Sequence, residues 1–119
     1  MAQDLDARDK ALAAAVALLA AEAGEGDASA LRGRFADGEA AGVGCLDDHL
    51  SHLSGDRDRG RTAAFQMLGP VKGDAVAAAG LVERTLALSG GLDGLSPGAA
   101  ATLREICEAL NLSPTRFGL

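Results

Sequence analysis

The 119-residue sequence predicts an all-α fold, a compact bundle of six or seven short helices forming a single domain over residues 1–119. Three observations lead there. Apolar residues recur at spacings of three and four along most of the chain, which places them on one face of a helix. No stretch sustains period-two alternation of β-branched residues, so no sheet is expected. Between the periodic segments fall glycine, proline, serine and aspartate, the residues that start and stop helices.

The first helix starts near Leu5 with Asp4 as its cap, and Leu5, Leu12, Val16 and Leu19 lie on one stripe. It contains the apolar run "ALAAAVALLAA", Ala11 to Ala21. That run is too short to span a bilayer, and Asp4, Asp6 and Asp9 interleave with Arg8 and Lys10 ahead of it, unlike the basic leader of a signal peptide. The expectation is a buried helix face, broken by the glycines of "AGEGD". Asp27 caps a second segment in which Leu31 and Phe35 stand one turn apart, ending at "ADGEAAG". Val43, Leu46, Leu50 and Leu53 mark a third helix, closed by Ser54-Gly55.

"DRDRGRTAAFQML" leads into a fourth helix carrying Phe65 and Leu68, which Gly69-Pro70 stops. Pro70 opens the fifth, running through Val76, Ala79, Leu81, Val82 and Leu86 to about Ser89. "SGGLDGLSPG" is a turn by composition. Ser96 and Pro97 supply a cap and a first-turn proline for the sixth helix, with apolar positions Leu103, Ile106, Cys107 and Leu110. Asn111 is a left-handed stop, and Ser113-Pro114 cap a last turn containing Phe117. Gly33, Gly60, Gly73 and Gly80 fall in or beside these helices, and each lowers helix stability by about 1 kcal/mol relative to alanine.

Composition narrows the function. The 48% hydrophobic fraction rests on Ala, Leu and Val with three Phe and no Tyr or Trp, so the core is small and aliphatic and no aromatic platform for bases or sugars is expected. A net charge of −6 and a pI near 4.7 make an acidic surface that repels phosphate backbones and anionic lipid heads. Neither nucleic acid nor membrane insertion is expected. The stretch "LREICEALNLSPTRFGL" has the outline of a helix-turn-helix. Its recognition helix would have to run three turns from about Ser113, past Leu119, and Arg104 and Arg116 are balanced by Glu105 and Glu108. A DNA-binding regulator is the weakest of the readings. Cys45 and Cys107 stand far apart and are expected as reduced thiols in a cytoplasmic protein.

The most suggestive chemical cluster is "CLDDHLSH". Cys45, Asp48, His49 and His52 fall within an arc of about 100° on one helix, where pairs at i and i+3 or i+4 can share a metal ion. A site needs three or four ligands, both histidines are already in this stretch, and only Cys107 and scattered carboxylates remain elsewhere. The face reads as a polar helix flank, with a divalent-metal-binding protein as the alternative. Arg57, Arg59 and Arg61 would suit an anion at a helix start, but Asp56 and Asp58 interleave with them, giving a solvated, self-paired loop. "GVG" (Gly42 to Gly44) and "GGLDG" (Gly90 to Gly94) lack the strand and the Lys-Ser or Lys-Thr of a phosphate loop. There is no G-x-S-x-G elbow, and Cys45 beside His49 has no orienting third group. No catalysis and no cofactor are expected.

The stretch "LALSGGLDGLSPGAAATLREICEALNLSPTRF", Leu86 to Phe117, resembles the C-terminal half of the TerB-like domains, the all-helical family of tellurite-resistance TerB and of the N-terminal region of DjlA-type membrane cochaperones. Asp93-Gly94 matches the family's turn, Leu95-Ser96-Pro97 its cap, and Leu103 to Leu112 its closing helix; "RFADGEA" (Arg34 to Ala40) offers a second Ala-Asp-Gly. After the cap, where the family carries an acidic residue, this chain has Gly98, Ala99 and Ala100, and the spacing from turn to cap is one residue shorter. The resemblance implies a TerB-like fold and a tellurite-resistance-like or stress-response accessory role. It also implies Asp93 as a further metal candidate, lacking the acidic partner that the family's divalent-cation role would use. With the composition, the expectation is a non-catalytic module that works through a protein partner or self-association, its Ala- and Leu-rich helices offering an apolar face.

Overall fold

The first apolar run is buried on every side. In the computed structural model, which describes residues 7–23, 25–38 and 42–119, α1 (Ala7–Glu22) carries ten consecutive buried residues, Ala11 to Ala20. This corrects the expectation of one buried face: a helix apolar around its whole circumference belongs at the centre of a bundle. Six of the ten are alanine. Such short side chains let neighbouring helices approach at the close end of the usual interaxial range, about 8–10 Å. Around α1 lie α2 (Glu25–Gly38), α3 (Val43–Gly55), α4 (Arg57–Gln66), α5 (Gly69–Lys72), α6 (Ala75–Leu88) and α7 (Pro97–Ala109), and α1 touches all six. Two 3-10 turns follow α6 and α7, at Leu92–Gly94 and Pro114–Phe117. Among the described residues there is no strand, and the all-α class with seven α-helices agrees with the sequence. One apolar cluster draws residues from every α-helix, and the radius of gyration is 12.9 Å.

Three helix starts and two helix ends are built from local hydrogen bonds. Asp56 accepts from the Arg59 N–H at the start of α4, and Asp74 from the N–H groups of Val76 and Ala77 at the start of α6. Ser96 accepts from the Ala99 N–H, and Pro97 takes the first position of α7, where its missing N–H costs nothing. α6 and α7 both close with a Schellman arrangement. After α6 the Gly91 N–H reaches the Leu86 carbonyl at 2.8 Å while Gly90 turns left-handed at φ 88°. After α7 the Leu112 N–H reaches the Cys107 carbonyl at 2.8 Å, and Asn111, at φ 60°, is the left-handed stop expected of it.

Some boundaries differ from expectation. Asp27 lies inside α2, which begins at Glu25, so it is no cap. Pro70 opens only the four-residue α5; the chain breaks at Gly73, because Asp74 satisfies two N–H groups and starts α6 afresh. Ser113 precedes a 3-10 turn as expected, but its hydroxyl pairs with that of Thr115 at 2.8 Å rather than capping the backbone. Asp4 and Leu5 lie outside the described residues.

Gly60 has a packing reason to be glycine. It is buried where α4 crosses α3, and a Cβ there would stand 2.7 Å from the Leu53 amide nitrogen and 2.8 Å from its Cα. Gly33 on α2 faces open space, with no heavy atom within 4 Å of a Cβ. Both substitutions to alanine gain helix propensity of about 1 kcal/mol. In Gly60→Ala the clash is with backbone, which no rotamer relieves, so overpacking of about 1–3 kcal/mol outweighs the gain. Urea unfolding should therefore show Gly33→Ala more stable than wild type and Gly60→Ala less stable; equal effects would contradict the close approach of α3 and α4.

Candidate functional site

The sequence-derived cluster on α3 is divided by burial. Asp48 and His52 are exposed, Cys45 is half-buried, and His49 is buried at 8% exposure. The inner flank of α3 packs against α1 and α4, which takes the His49 ring out of water. Its Nδ1 has no hydrogen-bond partner among the described protein groups. Burial above all, with His52 second, holds the His49 imidazole below its usual pKa, Asp48 pulling the other way. Burial likewise pushes the Cys45 thiol up, Asp48 adding to the shift and Lys10 opposing it, and burial with Glu108 pushes up that of Cys107. Both cysteines are free, and such thiols are poor nucleophiles at neutral pH. Among the described residues no group of three or more His, Cys, Asp and Glu side chains is placed to hold a metal ion. Asp93 stands exposed on the turn between α6 and α7.

The expected solvated, self-paired loop is not there: Arg57, Arg59 and Arg61 all lie on α4, whose start Asp56 caps. Arg59 pairs with Asp56 at 3.7 Å, but Arg57 and Arg61 both reach back to Glu22 at the end of α1, and Arg61 also pairs with Glu105 on α7. The Arg61 guanidinium lies 5.5 Å over the Phe65 ring. Glu22 is in turn pressed against the start of α7: a Cβ on Gly98 would sit 3.3 Å from its carbonyl oxygen and 3.4 Å from Oε2. A carboxylate at a helix start is favoured by the helix dipole. Glu22 thus brings to α7, from a distant helix, the negative charge that the chain lacks after the Ser96 cap. No spacing rule points to this residue.

Next to that junction lies a cavity of about 310 Å³, bounded by the C-terminal end of α1, by α2, and by the turn from α6 to α7. Its floor is apolar, with Leu19, Leu31 and Ala99 all buried. Its edge is polar, with Arg34, Ser89 and Ser96 and the backbone of Gly90 and Gly94. Arg34 Nη1 donates to the Leu88 carbonyl at 2.8 Å, a cation placed where the dipole of α6 ends. The turn and the cap beside this cavity are local features of the sequence, whereas Arg34, the first residue of "RFADGEA", takes its place here through the end of α6.

A second concavity, about 250 Å³, lies toward the opposite end of α1 between α5 and α6. Leu12, Val71 and Leu81 line it, and Val76, 84% exposed, stands at its edge. Arg8, Asp9 and Arg84 complete the rim, with Arg8 3.8 Å from Asp74.

These features define the class of protein: a small all-α bundle wound about a buried alanine-rich helix, with a shallow concavity toward each end of that helix. No family model matches the chain, and neither a curated protein nor a solved structure matches it. No helix among the described residues is long and apolar enough to cross a membrane.

The buried imidazole makes stability pH-dependent with a definite sign. Unfolded His49 titrates near the ordinary value of about 6.5 and folded His49 below it. Between those values the unfolded chain binds the extra proton, so the contribution is intact above about pH 6.5 and lost as pH falls, by at most about 1.4 kcal/mol per unit. The stability of wild type minus that of His49→Leu, from urea unfolding at pH 8 and at pH 5, should shrink or change sign toward acid. A difference that grows toward acid would mean the ring is charged in the folded state.

Proposed function

We propose that this chain is a non-catalytic, TerB-like interaction module that serves as a stress-response accessory protein in the cytoplasm and works by pairing with a second copy of itself. The observation that carries the pairing is Val76, an apolar side chain 84% exposed beside the groove lined by Leu12, Val71 and Leu81. The groove's surroundings favour a second copy as the occupant. Arg8, Asp9, Asp74 and Arg84 set both signs of charge around one apolar centre. A two-fold interface needs a self-complementary patch, and mixed charge supplies one in a chain whose net charge of −6 otherwise repels its own kind. Gly80 adds a point of close approach: it is exposed on α6, with no heavy atom within 4 Å of a Cβ, so a partner helix can reach the backbone there.

The family part of the reading rests on the resemblance of Leu86 to Phe117. The Asp93-Gly94 turn and the Ser96-Pro97 cap, which carry that resemblance, form a 3-10 turn and a capped helix start here. The non-catalytic part is supported by the raised thiols and by His49, buried with its Nδ1 unpartnered.

Sedimentation equilibrium at rising protein concentration tests the pairing. Wild type should pass from monomer to dimer, and Val76→Glu should stay monomeric with unchanged circular dichroism, since Val76 contributes little to the core. A wild type that remains strictly monomeric would end this reading.

A further inference from the structure

We infer that two copies of the chain pair through α6 about a two-fold axis running along the helix, so that Gly80 meets Gly80, each Val76 lies on the partner's groove beside Ala77, and each Glu83 pairs with the partner's Arg84. This rests on the self-pairing proposed above and adds to it the helix, its direction and the charges that set its register.

The register comes from the order of residues on the outer face of α6. Val76, Gly80, Glu83, Arg84 and Ala87 are exposed there, and Ala77 is half-buried. At about 100° per residue, measured from the line through Gly80, Ala77 lies about 60° and Arg84 about 40° to one side. Val76 lies about 40° and Glu83 about 60° to the other side. The edge with Ala77 and Arg84 is the one that turns into the groove over Leu12, Val71 and Leu81. The two edges of the face therefore differ. One offers an exposed apolar side chain and a carboxylate, the other a groove and a guanidinium. That guanidinium is held on its edge by the end of α2, where a Cβ on Gly38 would stand 2.6 Å from Arg84 Nη2.

A two-fold axis along the helix sets each edge of one copy against the opposite edge of its partner, and does so twice by symmetry. Val76 then stands level with the partner's Ala77, and Glu83 level with the partner's Arg84, each pair offset by one residue, about 1.5 Å. An axis across the helix would instead set like edges together. Each Glu83 would then lie against the partner's Val76, a carboxylate desolvated by an apolar side chain with no cation beside it. The order of charge thus selects the parallel pairing. Gly80 and, two turns on, Ala87 stand near the dividing line, where larger side chains would hold the helices apart. No heavy atom lies within 4 Å of a Cβ on Gly80, so the packing of a single copy does not require glycine there.

The test combines sedimentation equilibrium with a mixing experiment. Glu83→Arg and Arg84→Glu each create two like-charged pairs across the axis, and each variant alone should dimerise about tenfold more weakly than wild type. Mixed in equal amounts, the two variants should recover dimer near the wild-type level, because both cross-pairs are again opposite in sign. Gly80→Cys, in a Cys45→Ser background, should give a disulfide-linked dimer on mild oxidation, since bridging needs Cα atoms within about 7 Å of each other. Gly33→Cys, exposed on α2, should not. A wild type that stays monomeric would leave this face to a different protein and end both the self-pairing and this arrangement of it. A wild-type dimer whose charge variants fail to rescue each other, or in which Gly80→Cys does not bridge, would leave the self-pairing standing and overturn the arrangement. The substituted positions on α6 are exposed, and the charge and disulfide experiments are independent, so each remains decisive if a variant of the other folds poorly.

Discussion

Everything in this fold is arranged about the burial of α1. A helix can be surrounded on all sides only if its polar backbone is satisfied internally and its side chains take little room, and Ala11 to Ala20 meet both conditions. Six other helices then bury their inner faces against it, in a chain whose only large aromatic side chains are three phenylalanines. The dense packing of small residues leaves few places to absorb an added methyl group, which is the condition under which Gly60 becomes a steric requirement.

Several of the ion pairs gather at the ends of that helix. At one end, Glu22 joins three elements: it receives Arg57 and Arg61 from α4 and lies against the first turn of α7. Exposed ion pairs of this kind contribute little stability singly, about 0–1 kcal/mol. Their value here is orientational, because Glu22, Arg61 and Glu105 fix where α4 and α7 stand relative to the end of α1. Two of the concavities sit toward the same two ends. One is rimmed by charges of both signs, and the other has Arg34, two serines and turn backbone at its edge over buried Leu19, Leu31 and Ala99.

The α3 cluster illustrates how helical spacing and burial answer different questions. Cys45, Asp48, His49 and His52 share an arc on the helix, as their spacing requires. The packing of α1 and α4 then draws His49 inward and leaves Asp48 and His52 in solvent. An arc is a property of one helix, whereas a ligand set is a property of several, and no neighbouring element adds a third convergent ligand among the described residues. Arg57 and Arg61 of "DRDRGR" make the same point in reverse: adjacent aspartates suggested local pairing in a loop, whereas both stand on α4 and reach Glu22 and Glu105.

What was legible in the amino-acid order is what bonds over a few residues. The all-α class, the cap at Ser96, the left-handed Asn111 and the glycine turn after α6 all follow from hydrogen bonds spanning five residues or fewer, so the local sequence contains both partners. The break at Gly73 was missed because Pro70 and Asp74 both announce a helix start within one turn of each other. The framing of the cavity by Asp93-Gly94 and Ser96 was readable in the same local terms. Its cation was not, because Arg34 acquires its position from the end of α6, 54 residues along the chain. The same holds for α1: its composition marked it for burial, but burial on all sides required six partners, and only the assembled chain brings them together.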